Sequence, residues 1–179
     1  MVEQQFDLIE AVQRLAREAG LRPQHIGVKP KQLRAAIADH RRLFRPQQLA
    51  VLNSNRRLAL EAMRDLADFE PRLAGPLVHG DGPLQRIRLL LRADSPEQVI
   101  MHLQDRHIPW QSGEVTLLYS GDRRIAHPAL RFVAGDAEVE LVILEPDRRS
   151  DPARDPLGAG KLDALDPATL EKLIAQQEE

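Results

Sequence analysis

The stretch from Gly75 to Leu91, Gly-Pro-Leu-Val-His-Gly-Asp-Gly-Pro-Leu-Gln-Arg-Ile-Arg-Leu-Leu-Leu, constrains this chain more than any other. Its second half alternates. Arg86, Arg88, Leu90 and Arg92 fall on one side and Ile87, Leu89 and Leu91 on the other, which is the period of a β-strand. The Gly80-Asp81-Gly82-Pro83 quartet permits only a turn or loop, and it separates this strand from an apolar run, Leu73 to Val78, read as a preceding strand. Beyond it, Ser95 is a good N-cap, Pro96 suits a first helical position, and Glu97 sits where the helix dipole favours an acid. A helix is therefore predicted to about Arg106, with Val99, Ile100 and Leu103 inward.

Helical periodicity dominates upstream. Phe6, Ile9, Val12, Leu15 and Ala16 predict a helix over 3–19, with Gly20 as its stop. Leu33, Ala36, Ile37, His40, Leu43 and Phe44 mark a second, entered near Pro30 and interrupted at Pro46. A third is predicted over about 47–69 and closed by Pro71, with Asn53-Ser54-Asn55 as a bend or break inside it. Downstream, Val115–Tyr119, Leu130–Val133 and Val139–Leu144 read as strands, the last two joined as a hairpin at Gly135-Asp136. Residues 146–160, rich in Pro, Asp, Arg and Gly, are expected to form an extended, mobile linker. A last helix follows over Pro167 to Gln177, with Asp166 as its N-cap. The order predicts an α+β fold: a helical segment over 1–70, an α+β core over 71–145, and a linker with a helix over 146–179.

Composition narrows the chemistry. The chain has 179 residues and no cysteine, so disulfides, thiol nucleophiles and Cys-built zinc sites are excluded. Aromatic residues make up 3%, so the core must be aliphatic and base-stacking platforms are nearly absent. No apolar run approaches the roughly 20 residues that cross a bilayer. The opening Met-Val-Glu-Gln-Gln lacks a basic-then-apolar leader pattern, and a cytoplasmic location is the expectation. The net charge of −2 is unevenly spread: residues 1–72 hold 13 Lys and Arg against 9 Asp and Glu, and the remainder holds 12 against 18.

Gly75-Pro76 followed, after nine residues, by Arg86-Ile87-Arg88 resembles in its spacing the signature of the nucleotidyltransferase superfamily, the DNA polymerase β-like fold. In that family a Gly-Gly or Gly-Ser pair precedes Asp-x-Asp on a strand. Ser95-Pro96-Glu97 fits the helix that follows there. Val139-Glu140-Leu141-Val142 resembles the strand bearing the family's third acid, with Glu140 as its counterpart and Glu138 competing on the same face. The likeness spans about residues 58–145 and extends to bacterial members with a helical N-terminal segment. It implies a mixed sheet with flanking helices. It also implies a site where acids hold two Mg²⁺ ions for nucleotidyl transfer. Here two arginines stand where the first two acids would be. A guanidinium has no lone pair for a metal, and the exchange reverses four units of charge. Two-metal transfer, and with it a Mg²⁺ cofactor, is expected to be absent.

The arginines admit two readings. In one, Arg86 and Arg88, with Arg92, bind an anion such as a phosphate, a nucleotide or a partner's acidic side chain, aided by the backbone N–H groups of Gly80 and Gly82. In the other they form the solvated face of a half-exposed strand or pair with Glu138 and Glu140. A divergent enzyme would instead hold metal with Asp81, Glu138 and Glu140. The imidazole and carboxylate of His79-Gly80-Asp81 read as a surface loop, and Trp110 as a packing residue. The expectation is a nucleotidyltransferase-like protein without transferase activity that binds an anionic small molecule or a protein partner. A metal-dependent transferase and a homodimer joined through N-terminal helices are the alternatives, and nucleic acid is not an expected partner.

Overall fold

The computed structural model describes residues 46–80, 83–146, 151–155 and 160–176. The helices predicted over 3–19 and after Pro30 lie outside them. The fold is α+β, with a six-stranded mixed sheet. In chain order the elements are α1 (Pro46–Asp65), β1 (Arg72–Ala74), α2 (Pro76–His79), β2 (Arg86–Arg92), α3 (Pro96–Asp105), β3 (Gln111–Leu118), β4 (Arg124–Ala134), β5 (Ala137–Leu144), β6 (Ala164–Leu165) and α4 (Pro167–Ala175). The spatial order is β3-β4-β5-β2-β1-β6. Only β2 and β5 run parallel; every other neighbouring pair is antiparallel.

The two faces of the sheet are covered differently. Ile87, Leu89 and Leu91 of β2 and Val139, Leu141 and Ile143 of β5 meet one core with Leu60, Met63 and Leu66 of α1, Val99 and Leu103 of α3, and Leu170 and Ile174 of α4. Among the described residues, the helices α1, α3 and α4 pack on this face. A fully buried Leu or Met contributes about 1.5–3 kcal/mol, so this layer is the main apolar store of the molecule. On the opposite face a smaller cluster of Leu90, Val115, Leu117, Tyr119, Ala129 and Val142 is covered by Ala153, Leu162 and Ala164.

Several sequence expectations change here. The helix expected to bend at Asn53-Ser54-Asn55 runs unbroken through them to Asp65. Asn and Ser weaken helices when their side chains compete for nearby backbone groups. Here Asn55 instead reaches away and donates to the Leu84 carbonyl at 2.7 Å. The apolar run Leu73–Val78 is not one strand. It splits into β1 and the single-turn α2 at Gly75, whose φ of 81° and ψ of −153° belong to a region open only to glycine. Strands β3 and β4 are longer than predicted, and β4 continues through Pro128.

The described parts of the predicted linker over 146–160, together with residues 160–165, form a packed strap. Arg154 N–H donates to the Leu118 carbonyl at 2.7 Å and Leu162 N–H to the Ala153 carbonyl at 2.8 Å. Asp151 binds Ser120 and Arg123, Asp155 is buried, and Ala164–Leu165 adds a strand beside β1. The composition of 146–160 suggested a free segment, but Ala153, with Leu162 and Ala164 just beyond, packs on the apolar cluster beneath. Beneath the strap end, Tyr119 Oη and His127 Nε2 lie 2.7 Å apart, both buried. The C-terminal helix begins as predicted, with the Asp166 carboxylate accepting from Thr169 N–H at 2.8 Å.

Because α4 shares its core with α1 and the sheet, Leu170→Ala is expected to lower unfolding stability by about 2–5 kcal/mol in urea titrations, as for any fully buried leucine. A loss below about 0.5 kcal/mol, the scale of a surface change, would show that α4 does not belong to the cooperative unit.

Candidate functional site

The alternation of β2 puts Arg86, Arg88, Leu90 and Arg92 on the face away from the helices, as read from the sequence. The parallel register with β5 then decides what they meet: Arg86 stands opposite Glu138, Arg88 opposite Glu140, and Leu90 opposite Val142. On the other side of β5, the β4 hairpin places Val133 opposite Glu138, Arg131 opposite Glu140, and Ala129 opposite Val142. Three rows cross the sheet. The row of Leu90, Val142 and Ala129 lies under the strap cluster. The row of Arg88, Glu140 and Arg131 comes next. The row of Arg86, Glu138 and Val133 is outermost, with Val133 75% exposed.

Glu140 is the centre. Its side chain is 2% exposed. Arg88 Nε donates to Oε2 at 2.6 Å and Arg131 Nε donates to Oε1 at 2.9 Å, so each oxygen receives a charge-assisted hydrogen bond. Burial alone would raise the Glu140 pKa. The charge and hydrogen bond of Arg88, with those of Arg131, outweigh it and hold the carboxyl below its ordinary value. Arg131 lies along the sheet over Gly113, where an added Cβ would come within 2.6 Å of its guanidinium, and it also donates to the Glu114 carbonyl at 3.3 Å. Glycine at 113 leaves the space that Arg131 fills.

The outer row is looser. Arg86 Nη2 donates to Glu138 Oε2 at 3.3 Å, and Arg131 Nε is 4.0 Å from Glu138 Oε1. Arg86 Nε is buried and has no hydrogen-bond partner among the described residues. The cluster therefore holds three guanidiniums and two carboxylates, a net charge of +1.

The remaining predicted site residues stand apart from this cluster or outside the described residues. Arg92 is four residues along β2 from Arg88, roughly 13 Å. Its neighbours are Glu70, at 3.8 Å, and the Pro146 carbonyl, at 3.5 Å. Gly80 ends α2 in the left-handed conformation, and its N–H donates to the Pro76 carbonyl at 2.7 Å. Asp81 and Gly82 lie outside the described residues. His79 Nε2 is 3.0 Å from Asp163 Oδ2, which ties α2 to the strap. The loop is fastened from behind by Arg56 of α1. That side chain is buried, its pKa lowered to about 10 by burial, and it donates to the Leu77 and Val78 carbonyls at 2.8 and 3.0 Å.

Sequence reasoning missed Arg131. Its signal was available, because counting back from the two-residue Gly135-Asp136 turn pairs Ala134 with Ala137 and so Arg131 with Glu140. The donor set does not fit the Mg²⁺ pair that the resemblance implies. Both Glu140 oxygens are taken by guanidiniums, and positions 86 and 88 offer donors only. Among the described residues, no group of three or more His, Asp or Glu is arranged to hold a metal ion. No helix among them is long and apolar enough to cross a membrane. Comparison with protein-family models, curated proteins and solved structures finds no match.

Glu140→Gln leaves two guanidiniums around a neutral, buried amide. At pH 7 it is expected to cost about 3–5 kcal/mol in denaturant unfolding. The sign with pH follows from the lowered carboxyl: its contribution is complete above the ordinary glutamate value of 4.5 and is lost as pH falls through the lower folded value. The gap between wild type and Glu140→Gln should therefore narrow on acidification below 4.5. A gap that stays constant down to pH 2 would refute the ionised-carboxylate assignment.

Proposed function

We propose that this is a nucleotidyltransferase-like domain without transferase activity, which acts by binding an anionic ligand on the face of its sheet that carries the arginine rows. One observation carries the reading. Arg86 and Arg88 stand in parallel register with Glu138 and Glu140, and Arg131 joins them, so positions that would gather acids in the family gather a cluster of net positive charge. Phosphoryl chemistry with two metals needs hard oxygen ligands converging on one point. A row of guanidiniums suits the opposite task, holding a carboxylate or a phosphate through directed N–H donors. The order of elements supports the family frame: β1, the Gly75 turn with α2, β2, α3, and then β5 parallel to β2.

A protein partner is the second reading, favoured by Val133, an exposed valine in the same row as Arg86 and Glu138. Interface hot spots commonly combine an apolar contact with arginine, and an acidic side chain on the partner would meet the same donors.

Thermal unfolding separates the readings. Nucleoside triphosphate or inorganic phosphate without divalent metal is expected to raise the melting temperature, by roughly 2–4 °C per kcal/mol of binding for a chain of this size. Adding Mg²⁺ or Mn²⁺ should add nothing further, and Arg86→Ala should remove the shift. Stabilisation that requires metal, together with pyrophosphate release, would establish the transferase instead. No response to anions, with a dimer in solution scattering, would favour assembly.

A further inference from the structure

The two carboxylates of the cluster have different roles. Glu140 is buried, accepts two short hydrogen bonds, and sits at the middle of a row with an arginine on each side. Glu138 is 41% exposed, its contact with Arg86 is 3.3 Å, and its approach to Arg131 is 4.0 Å. Charge-assisted pairs normally close to about 2.7–2.9 Å, so neither contact of Glu138 is a fully formed bond. Arg86 meanwhile keeps its Nε–H buried and, among the described residues, without an acceptor to offset its desolvation. The cluster still has one positive charge in excess.

We infer that Glu138 is a built-in counterion, resting between Arg86 and Arg131 until a small oxyanion, a phosphate group in particular, displaces it. The inference rests on the anion-binding reading above and specifies how that site is loaded. Arg86 and Arg131 approach Glu138 from opposite neighbouring strands, β2 and β4, so an oxyanion above β5 meets a guanidinium on each side. Glu138 can leave at little electrostatic expense, because its exposed carboxylate regains water as it swings out. Glu140 cannot do the same, because its oxygens are shielded from water. Arg88 and Arg131 therefore both stay committed to Glu140 through their Nε donors, at 2.6 and 2.9 Å, and position the row, while Arg86 receives the ligand and Arg131 adds its charge from the far side. Phosphate, with three or four oxygens, can accept from Arg86 while lying within the field of the Arg131 guanidinium. The same headgroup could arrive as free phosphate or as a phosphomonoester.

The test titrates the full chain with inorganic phosphate and, separately, with phenyl phosphate, at fixed ionic strength, by calorimetry and by amide chemical shifts. Wild type is compared with Glu138→Gln and Arg86→Ala, each first checked for a native amide spectrum. Glu138→Gln removes the competing charge but keeps the side-chain shape. It should bind phosphate at least about fivefold more tightly than wild type, the Coulomb effect of one unit charge about 4 Å away in a water-like dielectric. Arg86→Ala should lose binding, and the shifts should centre on β2, β4 and β5. Tighter binding of phenyl phosphate than of free phosphate identifies a monoester as the ligand type; the reverse identifies the free ion. Equal affinity in wild type and Glu138→Gln overturns the counterion role and leaves the anion-binding reading standing. Binding by Glu138→Gln alone supports the counterion role and removes anion binding as the function of the natural protein. Absence of binding in wild type and both variants overturns both.

Discussion

The parallel pairing of β2 with β5 is the constraint from which the rest follows. It brings Ile87, Leu89 and Leu91 alongside Val139, Leu141 and Ile143 beneath the helices, and the same register sets Arg86 and Arg88 against Glu138 and Glu140 on the other face. Side chains alternate along a strand, so a slip of one residue would drive the arginines into the aliphatic layer and lift the leucines toward water. The apolar layer forbids that slip. The ion pairs then discriminate among slips of two residues, which would keep the pattern of faces but break the match of charges.

A buried ion pair is weak evidence for net stability, because two desolvated charges cost nearly what their attraction returns. The Glu140 site is better understood as specifying register and shape. Its carboxylate lies in the middle of the sheet with an arginine from each adjoining strand, and Gly113 on the edge strand leaves space for Arg131 to lie flat. The result is a graded face. Apolar residues lie under the strap, a fully paired charged row comes next, and a loosely paired row meets solvent. The loosely paired row lies at the start of β2, and α1 holds the segment before it through Arg56, which donates to the Leu77 and Val78 carbonyls, and Asn55, which donates to the Leu84 carbonyl.

Strand β2 was legible because its two faces differ sharply in polarity, and α3 and α4 because each opens with a cap-favouring residue followed by proline, although only Asp166 makes the capping hydrogen bond. The bend expected at Asn53-Ser54-Asn55 failed for a tertiary reason: the acceptor for Asn55 is the Leu84 carbonyl, 29 residues away. The strap was hidden because its own composition is that of a linker, and only the apolar patch beneath it makes packing favourable. Of the candidate site, Arg86, Arg88, Glu138 and Glu140 were visible as charges on one side of their strands. Arg131 was overlooked although the hairpin turn implied its position.

Local patterning alone established that residues 86–92 form a two-faced strand, that helices and strands combine in an α+β fold, and that positions 86, 88 and 92 carry positive charge on one side of that strand. These properties depend on the order of residue types along the backbone. Which charges touch is a different kind of fact. Strand pairing joins segments about 50 residues apart, and the choice between a free cationic row and a neutralised one depended on the register that the apolar layer on the far face of the sheet selected.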